Sequence, residues 1–477
     1  MTIITHIFGF DLSTCYNNFE GEVMQQKIRL NDILEIDVKR MGINGEGIGY
    51  YERLAIFIDN ALPGEKVLAQ ITEVYPNRAT AKVLQTLEKS PNRVKPLCPV
   101  YDACGGCQVQ HFDYNAMLDQ KKDIIKKALD RYVKRYDAHI ISDTIGMDNP
   151  KNYRNKASLP LRLIDNKNRF GMFARNSNAF VLINTCGVQH TKINDIFTTM
   201  TSLMDRYHID AYDPVLQTGI ISHAIVRITE NLNEVQVTFI LPKAFDGLDN
   251  LLHELVKLHP EIMSIYKVIN PDVRQSYFTE DIHLIYGKEM IEEQLGGHTF
   301  SLSPDAFFQL NTSQADKFYN EMKRLAQIKP TEIVVDAYAG IAPISHYIGQ
   351  DAKHIYAIEI NEDAVKSAKI SLDQNHIDNV TVIENNFEDA LDNLNDMKID
   401  VMLFDPPRSG LGEGVIRTIL KYKPKRLVYG SCNPSTLAKD LSLLLKDYDL
   451  KHITPIDMFP YTSLVESITL LELKTAL

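Results

Sequence analysis

The chain has no run approaching the roughly 18 consecutive apolar residues that cross a bilayer, so a membrane span is not expected. Its first residues, MTIITHIFGFDLSTCYNNFEGE, lack a basic n-region and a small-residue cleavage site, and do not read as a signal peptide. There is no internal repeat and no low-complexity tract. Cysteine is scarce. Cys15, Cys98, Cys104, Cys107, Cys186 and Cys432 are too few and too unevenly spaced for a disulfide scaffold, and suit metal or catalytic work in a reducing compartment. With 44% apolar and 24% charged residues, the composition excludes a disordered or collagenous chain. The 477 residues have room for about three domains. The expectation is a globular, cytoplasmic protein with no membrane partner, monomeric by default.

A positive excess is also missing. The net charge of -11, from 51 basic and 62 acidic residues, argues on its face against nucleic acid. Residues 91–178 nevertheless hold 16 Lys and Arg against 9 Asp and Glu. Such an island can hold phosphates, or be an ordinary fluctuation; charge alone leaves both open.

The organisation along the chain predicts a multidomain α/β protein. Residues 1–24 read as a tail or upstream extension, with Met24 standing where an initiator would precede the first patterned segment. Residues 25–88 alternate apolar and polar residues in ILEIDVKRMG, AIFIDNALPGEKVLAQITEVYP and ATAKVL, with GINGEGIG as an interrupting turn, which fits a small OB-like β-barrel. Residues 89–299 form a central α+β region. It holds a Pro-punctuated linker, clustered cysteines, a helix near Asn115–Arg135 and mixed strands and helices. Residues 300–477 alternate regularly: IVVDAY, HIYAIEI, VTVIENN, VMLFDPPRSG, RLVYGSC and SITLLEL are strands separated by helices, a doubly wound, Rossmann-like sheet.

Ligands in such sheets sit beyond the carboxyl ends of the strands, where a carboxylate takes ribose hydroxyls. IVVDAYAG followed by a strand ending in Glu359 suits the adenosine of NAD or of S-adenosylmethionine (AdoMet), and the absence of G-x-G-x-x-G lowers NAD. Asp405-Pro406-Pro407 makes a rigid turn that aims a carboxylate into the crevice. Cys432, after the fifth strand, projects toward the same crevice. A lone Cys there is more often a small buried hydrophobe, but a thiolate adding to C6 of uracil makes C5 nucleophilic enough to take a methyl group. Elimination then needs a base for the C5 proton, and Glu466 at the start of the last strand is placed for it. The cysteine pattern Cys98-x5-Cys104-x2-Cys107 with a remote Cys186 offers four thiolates to zinc or an iron–sulfur cluster. Two C-x2-C knuckles, usual for a zinc ribbon, are not present, and Gly105-Gly106 lets the backbone wrap a bulkier group.

Through GINGEGIG, the four cysteines, YRNKA (Tyr153–Ala157), FFQLN (Phe307–Asn311), DAYAG, FDPPR, GSCNP and DMFPYTSLVE, the chain resembles the AdoMet-dependent RNA (uracil-5-)-methyltransferases. The resemblance is to the branch with an N-terminal TRAM domain and a four-iron–four-sulfur cluster that modifies 23S rRNA, and it covers nearly everything after Met24. It implies a C-terminal class I methyltransferase domain binding AdoMet through Gln309, Tyr338, Glu359 and Asp405, with Asn386 as a further contact. It implies Cys432 as nucleophile, Glu466 as base, and Cys98, Cys104, Cys107 and Cys186 as ligands of a [4Fe-4S] cluster. The partner is RNA, 23S rRNA first and tRNA as the alternative. Four positions depart from the pattern. Ala342-Pro343 stands where a second small glycine and a polar residue are usual, with the Ala342 methyl expected against the methionine part of the cofactor. Tyr461 and Leu464 replace a customary Gln and His near the base. These departures raise a second expectation, a catalytically impaired RNA-binding or ribosome-assembly factor.

Overall fold

A computed structural model describes residues 28–475 apart from 275, 395 and 396. The expectations for residues 1–24, for Met24 as initiator and for Cys15 lie outside the described residues.

Strands β1 (Ile33–Met41), β2 (Gly47–Tyr51), β3 (Leu54–Asp59), β4 (Lys66–Tyr75) and β5 (Arg78–Glu88) close a barrel in the order β1-β2-β3-β5-β4. Alternation puts Ile36, Val38, Ile56, Ile58, Val67, Ala69 and Ile71 inside it. GINGEGIG is only partly the turn its glycines suggest, because Gly47 and Gly49 lie inside β2. A methyl on Gly49 would sit 2.3 Å from Ile36 Cγ2, and one on Gly47 2.7 Å from the Ala61 carbonyl. These glycines permit close packing of a strand, which is the other physical reason a strand carries glycine.

Helix α1 (Tyr114–Tyr132) follows, then β6 (Lys156–Ile164), β7 (Lys167–Phe173), β8 (Phe180–Leu182), α2 (Thr191–Arg206), β9 (His223–Ile228), β10 (Val235–Leu241), α3 (Asp249–Leu258), β11 (Ile262–Ile269) and β12 (Ile282–Gly287). Their seven strands form one sheet, β12-β11-β10-β9-β6-β7-β8, with the apolar faces of α2 and α3 sharing its core. A hairpin, β13 (Ile291–Leu295) and β14 (His298–Leu302), puts Ile291, Leu295, Phe300 and Leu302 into the core of the C-terminal unit.

That unit runs α4 (Thr312–Ala326), β15 (Ile333–Ala337), α5 (Pro343–Ile348), β16 (His354–Glu359), α6 (Glu362–Gln374), β17 (Val380–Glu384), α7 (Phe387–Asn393), β18 (Val401–Phe404), α8 (Gly412–Tyr422), β19 (Arg426–Ser431), α9 (Pro434–Leu444), β20 (Tyr448–Ile456) and β21 (Glu466–Leu473). The strand order is β17-β16-β15-β18-β19-β21-β20. β15 to β19 are parallel, and β21 is antiparallel to both its neighbours. The order reverses at β15, between β16 and β18, so the crevice opens at their carboxyl ends. Helix α1 packs on α9 and β20, tying the central region to this sheet. No helix among the described residues is long and apolar enough to cross a membrane.

Candidate active site

The turn after β15 is built from left-handed residues, with φ of 60° at Tyr338, 56° at Gly340 and 63° at Ala342. This swings the backbone N–H groups toward β16. Gly340 N–H donates to Glu359 Oε2 at 2.8 Å, and Ile360 and Asn361 N–H donate to Oε1 at 2.9 and 2.8 Å. Glu359 is thereby fixed at the strand end, on the lining of the crevice. That crevice, of about 350 Å³, is lined by Tyr338, Pro343, Glu359, Asp363, Asp405 and the aromatic rings of Phe307 and Phe308 among others. Aromatic walls, several carboxylates and no Lys or Arg among the lining suit a cation that carries a nucleoside, which is the chemistry of AdoMet.

Ala342 does not do what its position in the sequence suggests. Its side chain is fully buried in a small core with Ala339, Ala357 and Ala368, and Pro343, at the first position of α5, is the residue that lines the crevice. The left-handed conformation costs an alanine about 1–2 kcal/mol. His346 helps hold the turn, its Nδ1–H donating to the Ala342 carbonyl at 2.7 Å.

Asp405 follows β18 at the inner end of the crevice. Burial pushes its carboxyl up to about 6. β19 and β21 pair with Ser431 opposite Ser467, so the register carried one residue further sets Cys432 beside Glu466. Cys432 is half-buried and Glu466 buried. Burial first, then the Glu466 and Asp405 carboxylates, push the thiol up to about 11, against an opposing pull from Arg408. Glu466 is pushed up to about 8 by burial and then by Asp405, while Lys121 holds it down. Cys432, Glu466 and Asp405 thus form one electrostatic group just past the crevice. Gln309 is buried and its side chain meets the hydroxyl of Tyr319, a fully enclosed residue of α4 that also lines the crevice. Asn386 falls outside this group. Its Oδ1 accepts from Asp389 N–H at 2.9 Å and its Nδ2 donates to Asp389 Oδ2 at 2.7 Å, so it is occupied in capping α7. Helix capping is what Asn favours, and it accounts for the residue without a ligand.

Cys98, Cys104, Cys107 and Cys186 are free thiols that line a second cavity, of about 360 Å³, with Arg154, Lys156 and Arg227. Asp305, Ala306, Phe307 and Phe308 line both cavities, so one short segment separates them. Gln110 Nε2 donates to Cys107 Sγ at 3.2 Å and Gly106 N–H to Cys104 Sγ at 3.4 Å. Burial pushes the Cys98, Cys104 and Cys107 thiols up, Cys107 to about 12. Among the described residues no group of three or more His, Cys, Asp or Glu is arranged to hold a metal ion. The four sequence-predicted ligands nevertheless share one cavity.

Sequence reasoning missed Lys121, Tyr114 and Asp457, which meet behind Glu466. The signal was available. Lys121 lies four residues from both Met117 and Ile125, on the buried face of α1, where a lysine needs a partner.

A strand order of 3-2-1-4-5-7-6 with the seventh strand reversed, and a crevice at the switch point, define a methyltransferase fold. The family model for tRNA (uracil-5-)-methyltransferase matches residues 113–474 and that for the TRAM domain residues 29–84. The chain belongs to the tRNA (uracil-5-)-methyltransferase family and carries an N-terminal TRAM domain. An uncharacterised RNA methyltransferase of Bacillus anthracis is 36% identical over 453 residues, covering 94% of this chain and 99% of the relative. One from Listeria innocua is 38% identical over 442 residues, covering 92% and 97%. Among solved structures, the tRNA (uracil-54, C5)-methyltransferase of Pyrococcus abyssi, in complex with S-adenosyl-L-homocysteine, shares the fold. Its TM-score is 0.72 at 22% identity, over 92% of this chain and 100% of that one.

Proposed function

We propose that the chain transfers a methyl group from AdoMet to C5 of a uridine in RNA, 23S rRNA being the favoured target, in the cytoplasm and as a monomer. The observation that carries this reading is the register of β19 and β21, which sets a thiol and a carboxyl side by side at the end of an acidic, nucleoside-sized crevice. AdoMet supplies an electrophilic methyl group on a sulfonium centre. Glu359 accepts hydrogen bonds from the ribose hydroxyls, Tyr338 walls the crevice, Asp405 lines its inner end, and Gln309 stands behind that wall on the Tyr319 hydroxyl. Cys432 Sγ bonds to C6 of a uridine flipped out of its stack, which makes C5 nucleophilic. After methylation, Glu466 takes the C5 proton as the C–S bond breaks and the thiolate leaves. Ala342 is buried in the small alanine core, so its methyl does not crowd the crevice; Pro343, the other half of that departure, does line it.

Cys98, Cys104, Cys107 and Cys186 belong to this proposal as holders of a [4Fe-4S] cluster. Four thiols on one cavity and hydrogen bonds to two of the sulfurs suit such a cluster. Protein purified without oxygen is expected to contain iron and acid-labile sulfide with visible charge-transfer absorption, and Cys186→Ser to lose both. Stoichiometric zinc in place of iron would set this part aside.

A second RNA target is favoured by one finding, that the Pyrococcus abyssi enzyme of the same fold is a tRNA methyltransferase. Mass spectrometry of RNA from a strain lacking the protein separates the two. Loss of a 5-methyluridine from 23S rRNA is expected, loss from tRNA alone moves the target, and unchanged 5-methyluridine in both discards the reading.

A further inference from the structure

Lys121 is fully enclosed, with no exposed side-chain surface. Its ammonium donates to Asp457 Oδ1 and, at 3.3 Å, to the Phe459 carbonyl. Asp457 is equally enclosed. Its other oxygen, Oδ2, accepts from the Tyr114 hydroxyl at 2.8 Å. The backbone of Asp457 is held as well, N–H donating to the Ile145 carbonyl at 2.9 Å and the carbonyl accepting from Gln314 Nε2 at 3.0 Å. A buried ion pair of this kind is a poor way to stabilise a core, since apolar residues of the same volume do as well or better. On α1 Lys121 shares the buried face with the apolar residues Met117, Ile124, Ile125 and Leu129. Stability alone therefore does not account for it.

Its place does. Ile456, the last residue of β20, is the cross-strand partner of Glu466, and Asp457 is the next residue. The pair sits at the root of the connection that ends in Glu466, and the cation belongs to α1, an element outside the sheet. Glu466 faces Asp405 after β18, Cys432 after β19, Tyr319 on α4 and Lys121 on α1. Of these groups Lys121 is the cation. The other three are acids, and every proton they release adds negative charge around a carboxyl that must itself be negative to accept a proton.

Resting on the reading of Glu466 as the base, we propose that Lys121, anchored by Asp457 and Tyr114, is a positioning residue that favours the ionised form of the Glu466 carboxyl from behind. The central region, through α1, thereby sets the working range of the base. Asp457 has two effects: it fixes the ammonium in place and, as its counter-charge, holds it protonated against the pull of burial.

The test is the pH dependence of single-turnover methylation of in vitro-transcribed 23S rRNA and tRNA by the full-length chain. Lys121→Met is expected to displace the acidic limb upward by about one pH unit or more, with about a tenfold loss at neutral pH that recovers in alkali. Uncleared RNA–protein adduct is expected to build up at neutral pH, since elimination is the step that needs the base. Asp457→Asn removes the counter-charge that holds the buried ammonium protonated, so Lys121 is expected to give up its proton and the limb to move upward as in Lys121→Met. The double variant Lys121→Met/Asp457→Asn leaves no buried charge orphaned, so it carries the test if the single variant does not fold. It too is expected to show the upward displacement, with AdoMet affinity unchanged in calorimetry. Limbs that coincide with the wild type, or losses equal at every pH, make the pair a domain tie and overturn the proposal. Wild-type protein that methylates neither RNA overturns the reading of the site instead.

Discussion

Cys432→Ala is expected to abolish methyl transfer, by about 10⁴-fold or more, while leaving RNA binding nearly intact. Uracil C5 is too electron-poor to attack a methyl donor until a nucleophile has added to C6. The wild-type thiol stands where that addition is possible, half-buried and beside Glu466. Alanine removes one sulfur and leaves the turn after β19 its own supports. Asn433 caps α9 and donates to the Arg408 carbonyl without help from the thiol. Methylation assays with labelled AdoMet beside a gel-shift titration check both halves. Product at the wild-type rate from the alanine variant contradicts covalent catalysis by this residue.

Glu466→Gln is expected to slow turnover by about 10²–10⁴-fold and, unlike Cys432→Ala, to accumulate an RNA–protein adduct that already carries the new methyl group. The amide keeps the shape and cannot take the C5 proton, so the reaction stalls before elimination. The same residue sets the pH dependence. Its carboxyl lies at about 8 because burial and Asp405 favour the neutral form, so the base works as pH rises through about 8 and is protonated below. The glutamine variant loses that limb. For the fold the sign is opposite. A carboxyl raised above its ordinary value of 4.5 favours the native state at low pH, and that contribution disappears as pH climbs from 4.5 to about 8. Glu466→Gln is therefore expected to melt at a higher temperature than the wild type in alkali, a gain that vanishes in acid. Equal melting of the two proteins at alkaline pH contradicts the buried, raised carboxyl.

Four of the five parallel strands of the C-terminal unit are legible in the sequence because each is an apolar run with a chemically informative residue at or just past its end: Asp336, Glu359, Asp405, Cys432. The meeting of Cys432 with Glu466 is not. It depends on β21 running antiparallel between β19 and β20, a reversal that local pattern does not encode. Glycines mislead in one place, since Gly47 and Gly49 serve close packing within a strand as well as the turn before it. Ala342 misleads for a related reason. In a left-handed turn the direction of Cβ is set by φ and ψ, and the spacing of the motif says nothing about it. Asn386 has the position of a ligand in the motif, and capping α7 explains it. Lys121 reads in sequence as part of a basic helix face. Its partner Asp457 is 336 residues away, beyond the reach of any helical periodicity.

Incubation with RNA containing 5-fluorouridine tests covalent catalysis most directly, because fluorine at C5 cannot leave as a proton does and the adduct is stranded. The expected result is a denaturation-stable protein–RNA species, formed in the presence of AdoMet, whose linkage maps to Cys432 and is missing from Cys432→Ala. No such species, or one attached through another residue, contradicts the account.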